Sequence, residues 1–294
     1  MKVSPLFLYK LIGRLPLPVL YGFATFCANL FYYLIPYRKK VIQNNLKNSF
    51  PNASQKELNK LLYRFYCYLT DQIVEFFKGA SITKEEILDR YEIKNEEIVS
   101  DFLKKGIPVL LVAGHQGNWE WAIHRLALSN NVYDIIYQKL NSPLFNEFTM
   151  QVRSRFGNIN LLEKKESILL TRERKNIPRA VCLAADQAPQ KPESAYWTTF
   201  LHQDTAFFTG MERFAREYNY PVVFAEAIRT KRGKYTLTYE LIANVPFESL
   251  VPGEIIERFA RRLEKSINEY PEQYLWSHRR WKHKKPDKLS TKWA

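Results

Sequence analysis

The chain has 294 residues, 46% of them hydrophobic, which is enough for one large domain with a full core. Its 44 basic and 30 acidic residues leave a net charge of +14, favouring a membrane surface, a nucleic acid or an acidic protein as partner; no recognised nucleic-acid-binding module appears, so no nucleic-acid partner is expected. Cys27, Cys67 and Cys182 are odd in number, widely spaced and set in apolar runs, a pattern of reduced core residues rather than of a disulfide framework.

From the amino terminus, Leu15 to Tyr37 carries no charged residue and has the length of a membrane span, for which about 20 apolar residues are needed. Pro16 and Pro18 suit a helix start. Tyr21, Tyr32, Tyr33 and Tyr37 are aromatics of the kind found at membrane interfaces, and Arg38-Lys39-Lys40 follows, which would leave the remainder of the chain on the cytoplasmic side. The segment is only modestly hydrophobic, so a helix lying in the interface and a buried core helix both stay open. Arg14 interrupts the apolar region and no small-x-small site follows, so a cleavable signal peptide is not expected. Ser54 with Glu57 forms a capping-box pattern, and Leu58, Leu61, Leu62, Phe65, Leu69, Ile73 and Phe76 then recur at helical spacing up to Gly79. Asp71 and Glu75 on this helix are expected to be solvated.

The chemistry concentrates in residues 107–121. Val109 to Ala113 is a short apolar run that reads as a strand buried on both faces. Gly114 ends it, Gly117 allows a tight turn, and Trp119, Ala122, Ile123 and Leu126 fall at helical spacing. His115 therefore sits at the carboxyl end of a buried strand, where open α/β sheets place their ligand crevices, and Glu120 lies at the start of the helix. A neutral imidazole can take a proton from a hydroxyl with one nitrogen while a carboxylate on the other fixes the tautomer and stabilises the imidazolium. His-x-x-x-x-Glu across such a corner can bring the two together. A histidine bonded to a backbone carbonyl, beside a glutamate that caps the helix, is the structural alternative. Zinc would need a third ligand; His124 is four residues after Glu120, but the spacing matches neither His-Glu-x-x-His nor a Cys/His site, so no metal is expected.

Val132 to Tyr137 reads as a second strand, and Pro143 to Phe156 as a helix bearing Arg153 and Arg155, either of which could equally face solvent. A third strand starts at Arg179 and ends in Asp186-Gln187, a polar pair again at the crevice edge. Residues 188–209 read as a long loop rich in aromatics, and Gly210 precedes a helix over Met211–Tyr218 whose amino end offers free N–H groups. A strand from Pro221 to Ala227, a turn at Lys231–Lys234 and an alternating strand from Tyr235 to Leu241 predict an antiparallel hairpin, hence a mixed sheet. Gly253 to Tyr270 reads as the last helix. The carboxyl end is basic: Arg279, Arg280, Lys282, Lys284, Lys285, Lys288 and Lys292 face only Asp287.

Four segments carry a resemblance. Gly114-His-Gln-Gly-Asn-Trp-Glu-Trp121, the Asn45-Leu46 … Phe50-Pro51 stretch, Asp186-Gln187 and the terminal Pro271-Glu-Gln-Tyr-Leu-Trp-Ser-His-Arg-Arg-Trp-Lys282 together resemble the late lipid A biosynthesis acyltransferases, in the lysophospholipid acyltransferase superfamily. Two departures stand out: the family's tyrosine-arginine pair reads Tyr137-Gln138 here, with Lys139 following, and its Phe-Phe-Gly reads Phe200-Leu201-His202. The resemblance implies an α/β fold, a mixed central sheet flanked by helices as in glycerolipid acyltransferases, with a membrane-anchor segment over residues 1–40 and an acyltransferase domain over 41–294. It implies an enzyme of the bacterial inner membrane, facing the cytoplasm, that moves a fatty acyl chain from acyl carrier protein to a hydroxyl of a lipid A precursor, with no cofactor. His115 would be the general base and Glu120 its orienting partner; Asn118, Arg153, Arg155, Asp186, Gln187 and Gly210 would serve substrate binding. The same chemistry on another lipid, and a non-catalytic basic membrane adaptor, are the rival readings.

Overall fold

A computed structural model describes residues 5–287; Lys288 and Lys292 of the basic tail lie outside them. Helices α1 (Pro5–Arg14) and α2 (Leu17–Tyr33) meet at Pro16 with a bend of 110°. Then come α3 (Lys39–Ser49), α4 (Gln55–Lys78), α5 (Lys84–Arg90), β1 (Tyr91–Lys94), α6 (Glu97–Lys104), β2 (Val109–Ala113), α7 (Trp119–Ala127), β3 (Tyr133–Tyr137), α8 (Pro143–Arg153), β4 (Ile159–Glu163), α9 (Ser167–Glu173) and β5 (Ala180–Ala184). A hairpin of β6 (Tyr196–Phe200) and β7 (Gln203–Phe207) precedes α10 (Gly210–Tyr218), β8 (Val222–Lys231), β9 (Lys234–Ala243) and α11 (Glu254–Glu269).

Seven strands form one mixed sheet in the order β1-β9-β8-β2-β5-β3-β4. The β8/β9 pair is antiparallel and every other neighbour is parallel, so the hairpin expected at Lys231–Lys234 is what makes the sheet mixed. In the middle, β2 alternates between two cores. Leu110 and Val112 pack with α3, α4, α10 and α11 on one face; Val109 and Leu111 pack with α2, α5, α6 and α7 on the other. A strand covered on both faces has no polar side to show, which is why it reads as an uninterrupted apolar run.

The capping box at the start of α4 is formed: the Ser54 hydroxyl accepts from the Glu57 amide and the Glu57 carboxylate accepts from the Ser54 amide. Residues 188–209 are not an irregular loop. They hold the β6–β7 hairpin, whose turn places both Leu201 and His202 in the left-handed region, at φ 49° and 63°. Two-residue hairpin turns need that backbone, and this one achieves it without glycine. Phe200, Leu201 and Phe207 are buried in the main core, so packing holds the turn that local sequence disfavours.

The uncharged run Leu15–Tyr37 does not form one long helix. Among the described residues no single helix is long and apolar enough to cross a membrane; only the bent α1–α2 pair reaches that length. Nor does it stand apart from the domain, since Leu17, Leu20, Ala24 and Ala28 line one buried face of α2 and join both cores. The opposite face exposes Val19, Phe23 and Phe26, and Phe7, Leu8, Leu11, Leu34 and Ile35 extend it.

Candidate active site

The corner between β2 and α7 is built on Gly117 and Asn118. Gly117 has φ +56°, and a Cβ there would come within 2.5 Å of the Ala227 carbonyl oxygen on β8, so both the turn and the close approach exclude a side chain. The Tyr68 hydroxyl donates to the Gly117 carbonyl. Asn118 caps α7 by accepting from the Trp121 amide at 2.9 Å, while its own amide donates to Glu75 at 2.7 Å. Both ends of the Asn118 side chain are thus engaged in holding the corner, and the residue is buried.

Strand register then brings the functional groups together. β2 and β5 run parallel with Ala113 opposite Ala184, so the residues two positions beyond, His115 and Asp186, emerge side by side at the carboxyl edge. Asp186 holds His115 twice. One carboxylate oxygen accepts from the His115 backbone amide at 2.9 Å, and the other accepts from Nδ1 at 2.6 Å. The proton therefore sits on Nδ1, and Nε2 carries the lone pair; the Gln187 amide faces it at 3.3 Å. The carboxylate on His115 is thus Asp186, and the expected His115–Glu120 hydrogen bond is not made. Glu120 instead takes a bidentate pair from Arg153, at 2.9 Å from Nε and 2.6 Å from Nη2, and Trp119 bridges the groups by donating to Glu120 at 3.2 Å with its ring edge against His115. Glu120 still acts on His115 through its charge.

Burial works against a charged imidazole, yet the nearby Asp186 carboxylate, its hydrogen bond and the Glu120 charge outweigh it, and His115 is held above the ordinary imidazole range. Burial likewise resists ionisation of Asp186, but His115 overcomes it and the carboxyl titrates below its usual value. The two directions agree on a dyad in which Asp186 stays a carboxylate.

The other expected site residues lie elsewhere. Arg155 donates to the carbonyls of Gly79, at 2.5 Å, and Ile82, at 3.0 Å, which ties α8 to the end of α4. Gly210 lies exposed at the start of α10 and makes none of the bonds of the His115 cluster. His124 is fully buried, edge-on to Phe156, and burial together with the Arg155 charge pulls its pKa down to about 4. Asp71 and Glu75 are not solvated. Asp71 pairs with Arg229 and Arg232. Glu75 is fully buried and accepts from Tyr21 on α2, Tyr235 on β9 and Asn118 at the β2–α7 corner, at 2.7, 2.5 and 2.7 Å. Two of the partners Asp71 and Glu75 would need, at positions 229 and 235, lie more than 150 residues along the chain, so a helical pattern around them gave no sign of them.

A base aimed from a strand end, with a carboxylate behind it and an ion pair beside it, suits proton removal from a hydroxyl. The model of the bacterial lipid A biosynthesis acyltransferase family matches residues 5–283. This chain belongs to that family. The enzyme is therefore an acyltransferase acting in lipid A biosynthesis. It is 25% identical over 276 residues to the lipid A biosynthesis lauroyltransferase of Escherichia coli (strain K12), covering 92% of this chain and 88% of that one. Among solved structures, the 1-acyl-sn-glycerophosphate (LPA) acyltransferase of Thermotoga maritima superposes with a TM-score of 0.37 at 14% identity, over 85% of this chain and 95% of that chain, too loose a match to transfer any residue.

Proposed function

We propose that this lipid A acyltransferase moves a fatty acyl chain from acyl carrier protein to a hydroxyl of a lipid A precursor at the cytoplasmic face of the bacterial inner membrane, with His115 as general base. The observation that carries this reading is the Asp186–His115 dyad, with Nδ1–H to the carboxylate and Nε2 facing the Gln187 amide. The acceptor hydroxyl takes the place of the Gln187 amide at Nε2 and gives up its proton as its oxygen attacks the thioester carbonyl. The imidazolium so formed is stabilised by Asp186 and Glu120. As the tetrahedral intermediate collapses, the carbon–sulfur bond breaks and the imidazolium returns the proton to the departing thiolate. No metal or organic cofactor enters these steps. Arg153 holds Glu120 in place by its two-point contact, a geometry a lysine would not reproduce. The Gly117 backbone N–H, in the turn that follows His115, is a candidate donor to the oxyanion.

The lauroyl group in the name of the Escherichia coli relative makes laurate the first chain to test. The net charge of +14 supports an acidic protein donor. The exposed apolar side of α1–α2, with Arg38, Lys39 and Lys40 following, supports a seat in the membrane interface rather than a full span, because the 17 residues of α2 reach about 25 Å against a hydrocarbon core of about 30 Å. Mass spectrometry of the lipids of a deletion strain tests the acceptor: lipid A lacking one acyl chain is the expected result, and loss from phospholipid or aminolipid alone would contradict it. Transfer from acyl carrier protein should slow as salt rises, and equal rates from acyl coenzyme A at every ionic strength would argue against a carrier-protein site.

A further inference from the structure

The basic carboxyl end is expected from sequence to be a charged surface, but Arg280 is not on it: the residue is 3% exposed. Its guanidinium lies over the Phe207 ring at 4.6 Å and is turned to the Tyr274 hydroxyl, and among the described residues no carboxylate makes an ion pair with it. A buried guanidinium with only a neutral phenol beside it is costly unless its charge is balanced. The segment that carries it is bolted to the crevice. The Asn45 amide donates to the Trp276 and His278 carbonyls, Trp281 donates to Thr205 on β7, and His278 accepts from the Ala188 amide, two residues after Asp186.

Two carboxylates and two guanidiniums share this neighbourhood. Glu120 is neutralised by Arg153. Asp186 has no direct ion pair besides His115, and His115 must be neutral to act as a base. Arg280 is the further cation beside Asp186: the Ala188–His278 hydrogen bond holds the two segments together, and the Arg280 charge acts on Asp186. The remaining groups facing the dyad are His278, which burial keeps neutral, and Lys282, whose charge reaches His278. Leu263 of α11, packed against Gly114, brings no charge.

We propose that Arg280 is a positioning residue whose buried charge keeps Asp186 a carboxylate while His115 is neutral, and so holds His115 in the Nδ1–H tautomer. The inference rests on His115 being the base. Arginine suits the task because it keeps its proton in surroundings where lysine would release it.

The sign is determinate. Removing a cation beside Asp186 makes the dyad hold its extra proton more tightly, so the base form of His115 appears only at higher pH. In full-length Arg280→Met and Arg280→Gln, the acid limb of kcat/KM should move up by about one pH unit, or about tenfold lower activity at a fixed pH on that limb. The His115 ring titration, followed by NMR with labelled histidines in detergent-solubilised protein, should move by the same amount; glutamine keeps polar length if methionine fails to fold. A lowered Tm with the ring titration unmoved in either folded variant would mean Arg280 is only structural and would overturn the proposal. A ring titration that moves without the rate profile would leave Arg280 in its role and remove His115 as the base.

Discussion

Burial alone would press the His115 imidazole toward its neutral form; the Asp186 carboxylate on Nδ1, helped by the Glu120 charge, reverses that. Because the base form exists only above this raised value, kcat/KM should climb with pH along a limb centred above the ordinary imidazole value of 6.5. Asp186→Asn removes the negative charge that acts more strongly on His115, so the midpoint should fall, and the plateau should drop by roughly 10²-fold or more because the tautomer is no longer enforced. Glu120→Gln should lower the midpoint by less and also leave Arg153 without its two-point partner. A midpoint that stays put in Asp186→Asn would mean the dyad does not set it; pH–rate profiles on purified protein decide. Which carboxylate takes Nδ1 could not be read from local spacing. Glu120 is five residues from His115 and visible in the motif, whereas Asp186 is 71 residues away and arrives through the β2–β5 register. Both residues were legible as crevice residues; their pairing was not.

At the scale of elements, α4 is the beam that joins α2, β9 and the β2–α7 corner, and Glu75 is the joint. Burial raises its carboxyl to about 7, although hydrogen bonds from Tyr21, Tyr235 and Asn118 pull the other way. The unfolded chain releases this proton near 4.5, so between about 4.5 and 7 the native state binds more protons and stability falls as pH rises. The full swing is roughly 3 kcal/mol, at a position with no solvent to screen it. Glu75→Gln should flatten that part of the stability curve at some cost from the rearranged donors, and Glu75→Ala should lose about 3 kcal/mol by stranding them. Denaturant melts across the pH range check both, and an unchanged slope in Glu75→Gln would locate the titration elsewhere. Long, periodic elements were legible: the helix from Ser54, the strand at Val109, the hairpin at Lys231–Lys234. Short edge strands were not. β1 alternates apolar and polar, but over only four residues, and the five residues of β4 show neither alternation nor an uninterrupted apolar run. The second capping box, Thr83 with Glu86, starts α5 and is carried by local sequence alone.

At the scale of the molecule, one helix serves two surroundings. Ala24 and Ala28 are fully buried, while Phe23 and Phe26 are 60% and 63% exposed, so α2 is core on one side and an exposed apolar face on the other, the face proposed to meet lipid. Replacing Phe23 and Phe26 together by aspartate should release the protein from vesicles or membranes with little change in Tm; Ala24→Asp should unfold it, since a carboxylate would enter the core. Retention of the double variant through salt and carbonate washes would mean that this face is not the seat. The sequence alone could not separate a span from an interfacial helix, because the 110° bend and the packing of Leu17 and Leu20 are tertiary facts. The dyad and the corner that holds it converge on one claim, that His115 removes the proton of the acceptor hydroxyl. Acyl transfer by purified, folded His115→Ala is its most direct measurement. Turnover should fall by about 10²- to 10⁴-fold with Tm close to that of the unaltered protein, and near-normal turnover in well-folded His115→Ala would contradict it.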